Sequence, residues 1–305
     1  MYFCGIDCSC YTSSVSVVDE DGNVLYDARR PLVVKDGQKG LRQSEMVFAH
    51  IKNLSEIFPE GFSGFRALAA STRPRPVEGS YMPVFVVSQS IGRAAARSAG
   101  AVFYPLTHQH GHIGAALLNH ALEGPFLALH VSGGTTELLR VAVENQVIQS
   151  ILPLGGTQDI AAGQLVDRVG QALHLRFPAG PELSALAERG EAQGIRSYVR
   201  GLSVSFSGAE TAAKRLLEKG ATPENVAAST LRCIGRTLEK LIGNARLQTG
   251  LSRVLLFGGV MSSTVLRAFL QKRLEDLLFA GIAVASDNAC GLAMQARNMY
   301  LAEGK

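Results

Sequence analysis

Residues 126–152 read FLALHVSGGTTELLRVAVENQVIQSIL, and the fold turns on how that stretch is parsed. Phe126–Val131 is a short apolar run, and Ser132-Gly133-Gly134-Thr135 after it is a turn signal. Glu137–Val143 returns, Glu144-Asn145-Gln146 turns again, and Val147–Leu152 makes a third strand. The first thirty residues follow the same plan. Tyr2–Asp7 and Ser13–Val18 are β-rich, and Asp21-Gly22-Asn23 is a hairpin signal before Val24–Arg29. Helical patterns follow the first triplet at 41–57, 88–99 and 109–121, with short strands at Ala67–Ala70 and Val102–Tyr104. After the second triplet come helical patterns near 159–175, 181–189, 209–219, 223–248, 262–276 and 288–302, with strands at Val254–Phe257 and Ile282–Ala285. This duplicated order, without a repeat of residues, predicts an α/β chain of two lobes, 1–123 and 124–305. Each lobe is a sheet flanked by helices, with the glycine turns facing a cleft between them. Helices that begin soon after strands offer unpaired N–H groups suited to anions.

Composition sets the outer bounds. The 305 residues are 47% apolar and 18% charged, ordinary for a globular α/β protein with ample core. The formal net charge of +4, with no basic block longer than two residues, permits nucleic-acid contact without requiring it. The five cysteines are Cys4, Cys8, Cys10, Cys233 and Cys290; none has zinc-knuckle spacing, so free thiols in a reducing cytoplasm are expected. The N-terminal MYFCGIDCSC has no basic or long apolar region, and no run of 18 apolar residues occurs. Neither secretion nor a membrane contact is therefore expected.

The sharpest local feature is His108-Gln109-His110-Gly111-His112. On a helix, His108 and His112 share one face and can chelate one metal ion; the alternative is that the rings only pack or cap. Gln109 stands where a zinc protease of H-E-x-x-H type needs its general base, which disfavours proteolysis. Ser132, Gly133 and Gly134 follow an apolar strand and would let backbone amides approach a phosphate, or form a plain turn. Gly258 and Gly259 follow Leu255-Leu256-Phe257 and would seat an adenine or ribose against bare backbone. Asp287 lies at a strand-to-helix transition, as a metal ligand or an N-cap. Asp7 ends the first strand, where a carboxylate would face a metal or its water shell, or only a solvated turn.

Taken in order, these segments resemble the TsaD family, the tRNA adenosine threonylcarbamoyltransferases once called O-sialoglycoprotein endopeptidases. The matching stretches are Gly5-Ile6-Asp7-Cys8-Ser9-Cys10, His108–His112, Ser132-Gly133-Gly134-Thr135-Thr136, Asp159–Gln164 with Asp167-Arg168, Ala179-Gly180-Pro181, Ser205-Phe206-Ser207-Gly208, Gly258-Gly259-Val260 and Ser286-Asp287-Asn288. The resemblance implies an actin-like ATPase fold (ASKHA, ribonuclease H-like) with two lobes around a nucleotide cleft. It implies one iron or zinc ion held by the catalytic His108, His112 and Asp287. It places an adenine nucleotide, threonylcarbamoyl-adenylate or ATP/ADP, on Asp167, Gly180, Gly258, Gly259 and Ser263, with Ser132 and Gly133 near the phosphate or carbamoyl group. The implied reaction is metal-dependent transfer of threonylcarbamoyl to a tRNA adenosine in the cytoplasm. Implied partners are tRNA and a TsaB-like protein or a second copy paired through the N-terminal lobe. In the sequence itself, Arg73, Arg75, Arg196 and Arg200 are candidate tRNA contacts or plain solvated surface charges.

The chain departs from the family pattern at several polar positions. Tyr11-Thr12 replaces an Asp-Glu, Thr135 a histidine, Ile160 an aspartate, Gln164 a glutamate, Glu210 a lysine and Ser263 an asparagine. Such losses at a buried site are usually costly. They leave two further readings: a silenced nucleotide-binding paralogue acting as a partner or regulatory subunit, and a carbamoyltransferase with a small-molecule acceptor.

Overall fold

The computed structural model describes residues 1–9, 11–33, 41–282 and 289–305. In chain order the elements are β1 (Tyr2–Cys8), β2 (Thr12–Asp19), β3 (Val24–Pro31), α1 (Gln43–Ile57), β4 (Phe65–Ser71), α2 (Phe85–Ala99), β5 (Val102–Leu106) and α3 (His108–Leu117). Next come β6 (Gly124–Val131), β7 (Thr136–Glu144), β8 (Val147–Thr157), α4 (Ala162–Ala172), α5 (Gly180–Ala187), β9 (Tyr198–Arg200), β10 (Ser203–Ser205), α6 (Ser207–Glu218) and α7 (Pro223–Thr249). The last are β11 (Val254–Phe257), a 3-10 turn (Gly259–Ser262), α8 (Thr264–Gln271), β12 (Leu277–Phe279) and α9 (Cys290–Ala302).

The described residues fall into two compact units. The first holds Met1–Gly124, Ala142–Ser150 and Ser286–Lys305; the second holds Pro125–Val141 and Ile151–Ala285. The expected split at 123/124 thus needs correction in two stretches, because the β7–β8 tip and α9 group with the first unit. The reason for α9 is side-chain size. A Cβ on Gly5 of β1 would overlap the Ala289 carbonyl and the Ala293 amide, and one on Gly291 would overlap the Gly111 carbonyl of α3. Only glycine lets these backbones meet. Gln295 then binds the tip, accepting from Ile148 N–H at 2.9 Å, while its amide and that of Asn298 donate to the Gln146 carbonyl.

The first sheet has the order β3-β2-β1-β4-β5. β1 is antiparallel to β2 and parallel to β4, and β4 is parallel to β5. Both faces are covered, which is why its strands read as apolar runs. Cys4, Ile6, Val15 and Val17 pack toward α1 and α2, whereas Phe3, Val18, Ala67 and Ala69 pack with Leu292 and Ala296 of α9.

The second sheet has the order β12-β11-β6-β7-β8-β10-β9. Its stretch β8-β7-β6-β11-β12 repeats the first sheet's order, and β11 is again parallel to both β6 and β12. Its core centres on α7. Thr222 caps that helix by accepting from Asn225 N–H, Pro223 occupies the first turn, and Gly250 ends it at φ 71°. Ile234, Leu238, Leu241 and Ile242 of α7 are fully buried, each worth roughly 1.5–3 kcal/mol of transfer free energy.

Two local expectations differ from what is found. The helix expected over 262–276 ends at Gln271, and Leu277–Phe279 forms the edge strand β12. Of the strand expected at 282–285, residues 283–285 lie outside the described residues. The short hairpin β9–β10 was not foreseen, because strands of three residues carry too few positions to show a period.

Candidate active site

In the first unit, the site starts from how α3 begins. Thr107 is its N-cap, and its hydroxyl accepts from His110 N–H. The amides of His108 and Gln109 donate to the carbonyls of Arg73 and Pro74, so the 72–76 loop seats the first turn. This turn aims His108 and His112 at one point, with their Nε2 atoms 3.0 Å apart and their ring centroids 4.4 Å apart. The Asp7 carboxylate, fully buried at the end of β1, meets His108 Nδ1 at 2.9 and 3.0 Å. The sequence left Asp7 facing a metal or its water shell, or in a solvated turn; the carboxylate is buried and bonded to His108, which excludes the solvated turn. The bond keeps the His108 proton on Nδ1 and leaves Nε2 as a lone-pair donor.

This donor set fits a divalent ion. Two nitrogens bound at 2.0–2.1 Å to a tetrahedral centre lie about 3.3 Å apart, close to the observed spacing. A carboxylate behind one imidazole is the usual support of such a ligand. Asp287, the expected third ligand, lies outside the described residues. Among the described residues no group of three or more metal-binding side chains is found. His110 faces away from the pair: burial, then Arg73, push its pKa down to about 4, so it is neutral at neutral pH.

In the second unit, a cavity of about 520 Å³ opens between α4, α5, α7 and the β11–α8 connection. Gly133, Asp167, Gly180, Gly259 and Ser263, all singled out in the sequence, line it; Ser132, Gly134 and Gly258 do not. Gly258 instead shapes the turn at φ 101°, where a Cβ would overlap the Val131 carbonyl. Ser132 acts through its backbone, accepting from Gly163 N–H at 3.2 Å and donating to the Thr135 carbonyl at 2.8 Å. A side chain on Gly163 would overlap Ser132 and Gly133, so α4 begins against the glycine turn.

Asp167 accepts from Ala179 N–H at 2.9 Å, and burial raises its pKa against that bond. The walls are Val166, Pro178, Pro181, Leu231, Val260 and Leu266. Asp167 and Glu188 are the only charged side chains among the lining residues, and neither is a cation. The site therefore suits an uncharged ring and its hydroxyls better than a phosphate. Sequence reasoning missed Ser184, Glu188 and Thr264. Ser184 bonds Ser263 at 2.8 Å, and Thr264 donates to Glu188 at 3.1 Å, which closes one side of the cavity. Nothing local marks these residues, since they converge only when α5 meets α8.

Several departures are absorbed locally. Gln164 accepts from Ala161 N–H at 2.9 Å and so secures the start of α4. Glu210 is held by Arg168 at 2.9 Å and Lys214 at 2.6 Å.

Two sheets with one repeated strand order define the class: the chain has the actin-like ATPase fold. The activator of the 2-hydroxyisocaproyl-CoA dehydratase from Clostridium difficile, solved with bound ADPNP, matches it with a TM-score of 0.56 at 12% identity, covering 100% of this chain and 97% of that one. The family is narrower. The chain belongs to the TsaD family, described as tRNA N6-adenosine threonylcarbamoyltransferase, whose family model matches residues 65–293. It is 28% identical to the enzyme of that name from Sulfurihydrogenibium sp. (strain YO3AOP1), over 100% of this chain and 92% of the relative. It is 31% identical to the one from Rhizobium etli, over 96% of this chain and 87% of the relative. Among the described residues no helix is long and apolar enough to cross a membrane.

Proposed function

We propose that the chain transfers a threonylcarbamoyl group from threonylcarbamoyl-adenylate to a tRNA adenosine. The observation that carries this reading is that a chain of this family has a carboxylate-supported histidine pair in its first unit and a cation-free, apolar-walled cavity in its second. The cavity receives the adenosine part of the donor. Asp167, oriented by Ala179, accepts from a ribose hydroxyl, and the bare backbone at Gly133 and Gly259 leaves room for the ring.

His108 and His112, with Asp287 of the matching motif, would hold one iron or zinc ion. When bound, that ion supplies Lewis-acid polarisation of a carbonyl oxygen. Asp7 keeps His108 in the ligating tautomer and orientation. The acceptor amine attacks the carbamoyl carbon, the bond from that carbon to the phosphate oxygen breaks, and AMP leaves with the amine proton released. No side chain needs to form a covalent intermediate. Pairing through the first unit, with a TsaB-like protein or a second copy, is supported by the exposure of Phe48 and Ile51 on α1.

The test is nucleoside mass spectrometry of unmodified tRNA after incubation with the metal-loaded chain and threonylcarbamoyl-adenylate. Threonylcarbamoyladenosine that disappears with His108→Ala is the expected result. Tight nucleotide binding without product, alone or with a TsaB-like partner, would favour the silenced paralogue. Transfer to a small amine but not to tRNA would favour the small-molecule acceptor.

A further inference from the structure

Away from the cavity, one band of the second unit gathers positive charge. The segment 191–201 runs alongside α7 and is pinned to it at successive turns. Glu191 N–H donates to Asn225 at 2.7 Å and Gln193 N–H to Ser229 at 2.8 Å. Further along, Cys233 donates to the Arg196 carbonyl, Lys240 to the Ser197 hydroxyl at 2.8 Å, and Asn244 to the Gly201 carbonyl at 2.8 Å. This register lays exposed Arg196 and Arg200 along the same helix as exposed Arg232, Arg236 and Lys240. The last three recur every fourth residue, so they share one face over about 12 Å.

The band's charge is poorly balanced. No ion pair of Arg232 or Arg236 is found among the described residues, and Glu239 of the same helix turns to Arg273 at 4.0 Å. Glu191, at one end, is the only carboxylate of the pinned segment. Like charges four residues apart on a helix repel, a cost that a bound polyanion removes. Arg232 also lines two hollows, of about 350 and 150 Å³, so an anion can approach its guanidinium from two sides; Arg273 lines the larger and Arg236 the smaller.

We propose that Arg196, Arg200, Arg232, Arg236 and Lys240 form a docking surface for the phosphate backbone of the acceptor tRNA. The inference rests on the tRNA reading above and adds where the RNA body is held. A strip of this length exceeds one phosphate group and fits a run of backbone, and arginine forks match phosphate oxygens. Such contacts position the nucleic acid without reading its sequence.

The test compares the full chain with Arg232→Gln/Arg236→Gln and with Arg232→Lys/Arg236→Lys, measuring unmodified tRNA binding by anisotropy across a salt series and ADP binding by calorimetry. Both arginines are exposed, so folding should survive. The expected result is that the Gln pair weakens tRNA binding at least tenfold. It should also make the log–log salt slope shallower by roughly 1.4 to 1.8, the loss of two phosphate contacts. The Lys pair keeps most of the slope, and ADP binding is unchanged. An unaltered tRNA affinity and slope in the Gln pair overturns the surface and leaves the tRNA reading standing. A full chain that binds ADP but not tRNA at any salt overturns both. Inorganic phosphate that competes for these arginines while the Gln pair binds tRNA normally would assign them to a small anion and overturn the proposal.

Discussion

At the scale of single residues, the metal chemistry proposed for the first unit rests on three side chains. Asp7 is buried in the sheet, and His108 and His112 come from one turn of α3. Removing the carboxylate by Asp7→Asn should weaken metal affinity about 10- to 100-fold while leaving the fold intact. His108→Ala should abolish stoichiometric binding. Elemental analysis after anaerobic reconstitution checks both, and an undiminished metal content in His108→Ala would remove the histidine pair from the mechanism. How legible the site was follows the same division. The histidine pair could be read because both histidines sit at helical spacing in one motif. Asp7 could be flagged, but its role could not, since its hydrogen bond spans 101 residues of sequence. Ser184 and Glu188 were invisible because neither belongs to a motif, and each finds its partner at the start of α8.

At the scale of elements, the duplication was readable because strand triplets joined by glycine and asparagine turns carry their own period. What escaped were features set by tertiary packing: the β9–β10 hairpin, the early end of α8, and the unit that claims α9. Contact between α3 and α9 gives the next prediction. A Cβ at Gly114 would lie 2.6 Å from the Gly291 carbonyl oxygen, so Gly114→Val should force the helices apart and cost more than about 2 kcal/mol, seen as a lower urea midpoint.

Another prediction concerns how α6 is joined to α4. Asp159 accepts from Ser205 at 2.5 Å, Phe206 N–H at 2.9 Å and Ser207 N–H at 3.2 Å. Burial pushes its carboxyl up, but these hydrogen bonds outweigh burial and hold it well below the usual range. A depressed folded-state pKa contributes stability above about pH 3.9, the unfolded value. That contribution is lost as pH falls further, toward the depressed one. Denaturant midpoints between pH 6 and pH 2 should therefore fall more steeply for the native chain than for Asp159→Asn. Parallel curves would show that the carboxylate does not carry this junction.

At the scale of the whole molecule, ligand binding should divide the chain. Adenine nucleotide at 100 times its dissociation constant should stabilise the second unit by about 2.7 kcal/mol through mass action. Hydrogen-exchange protection should then rise in peptides covering 163–188 and 259–266, the walls of the cavity, and stay flat over the sheet β1–β5. Protection gained first around α3 would mean that the nucleotide is held elsewhere.

The glycine contacts that bind α9 to β1 and α3 also set a timetable for synthesis. A ribosome releases β1 through α3 long before it makes residues 289–305, yet one face of the first sheet stays uncovered until Leu292, Ala293 and Ala296 arrive. The second unit, by contrast, has all its described strands once Phe279 has emerged. The part of the chain made first is therefore completed last, and in the interval its apolar face is exposed to chaperones and to misassembly. A nascent chain stopped at residue 288 should carry a protease-resistant second unit and a protease-sensitive first one, the reverse of the order in which they were translated.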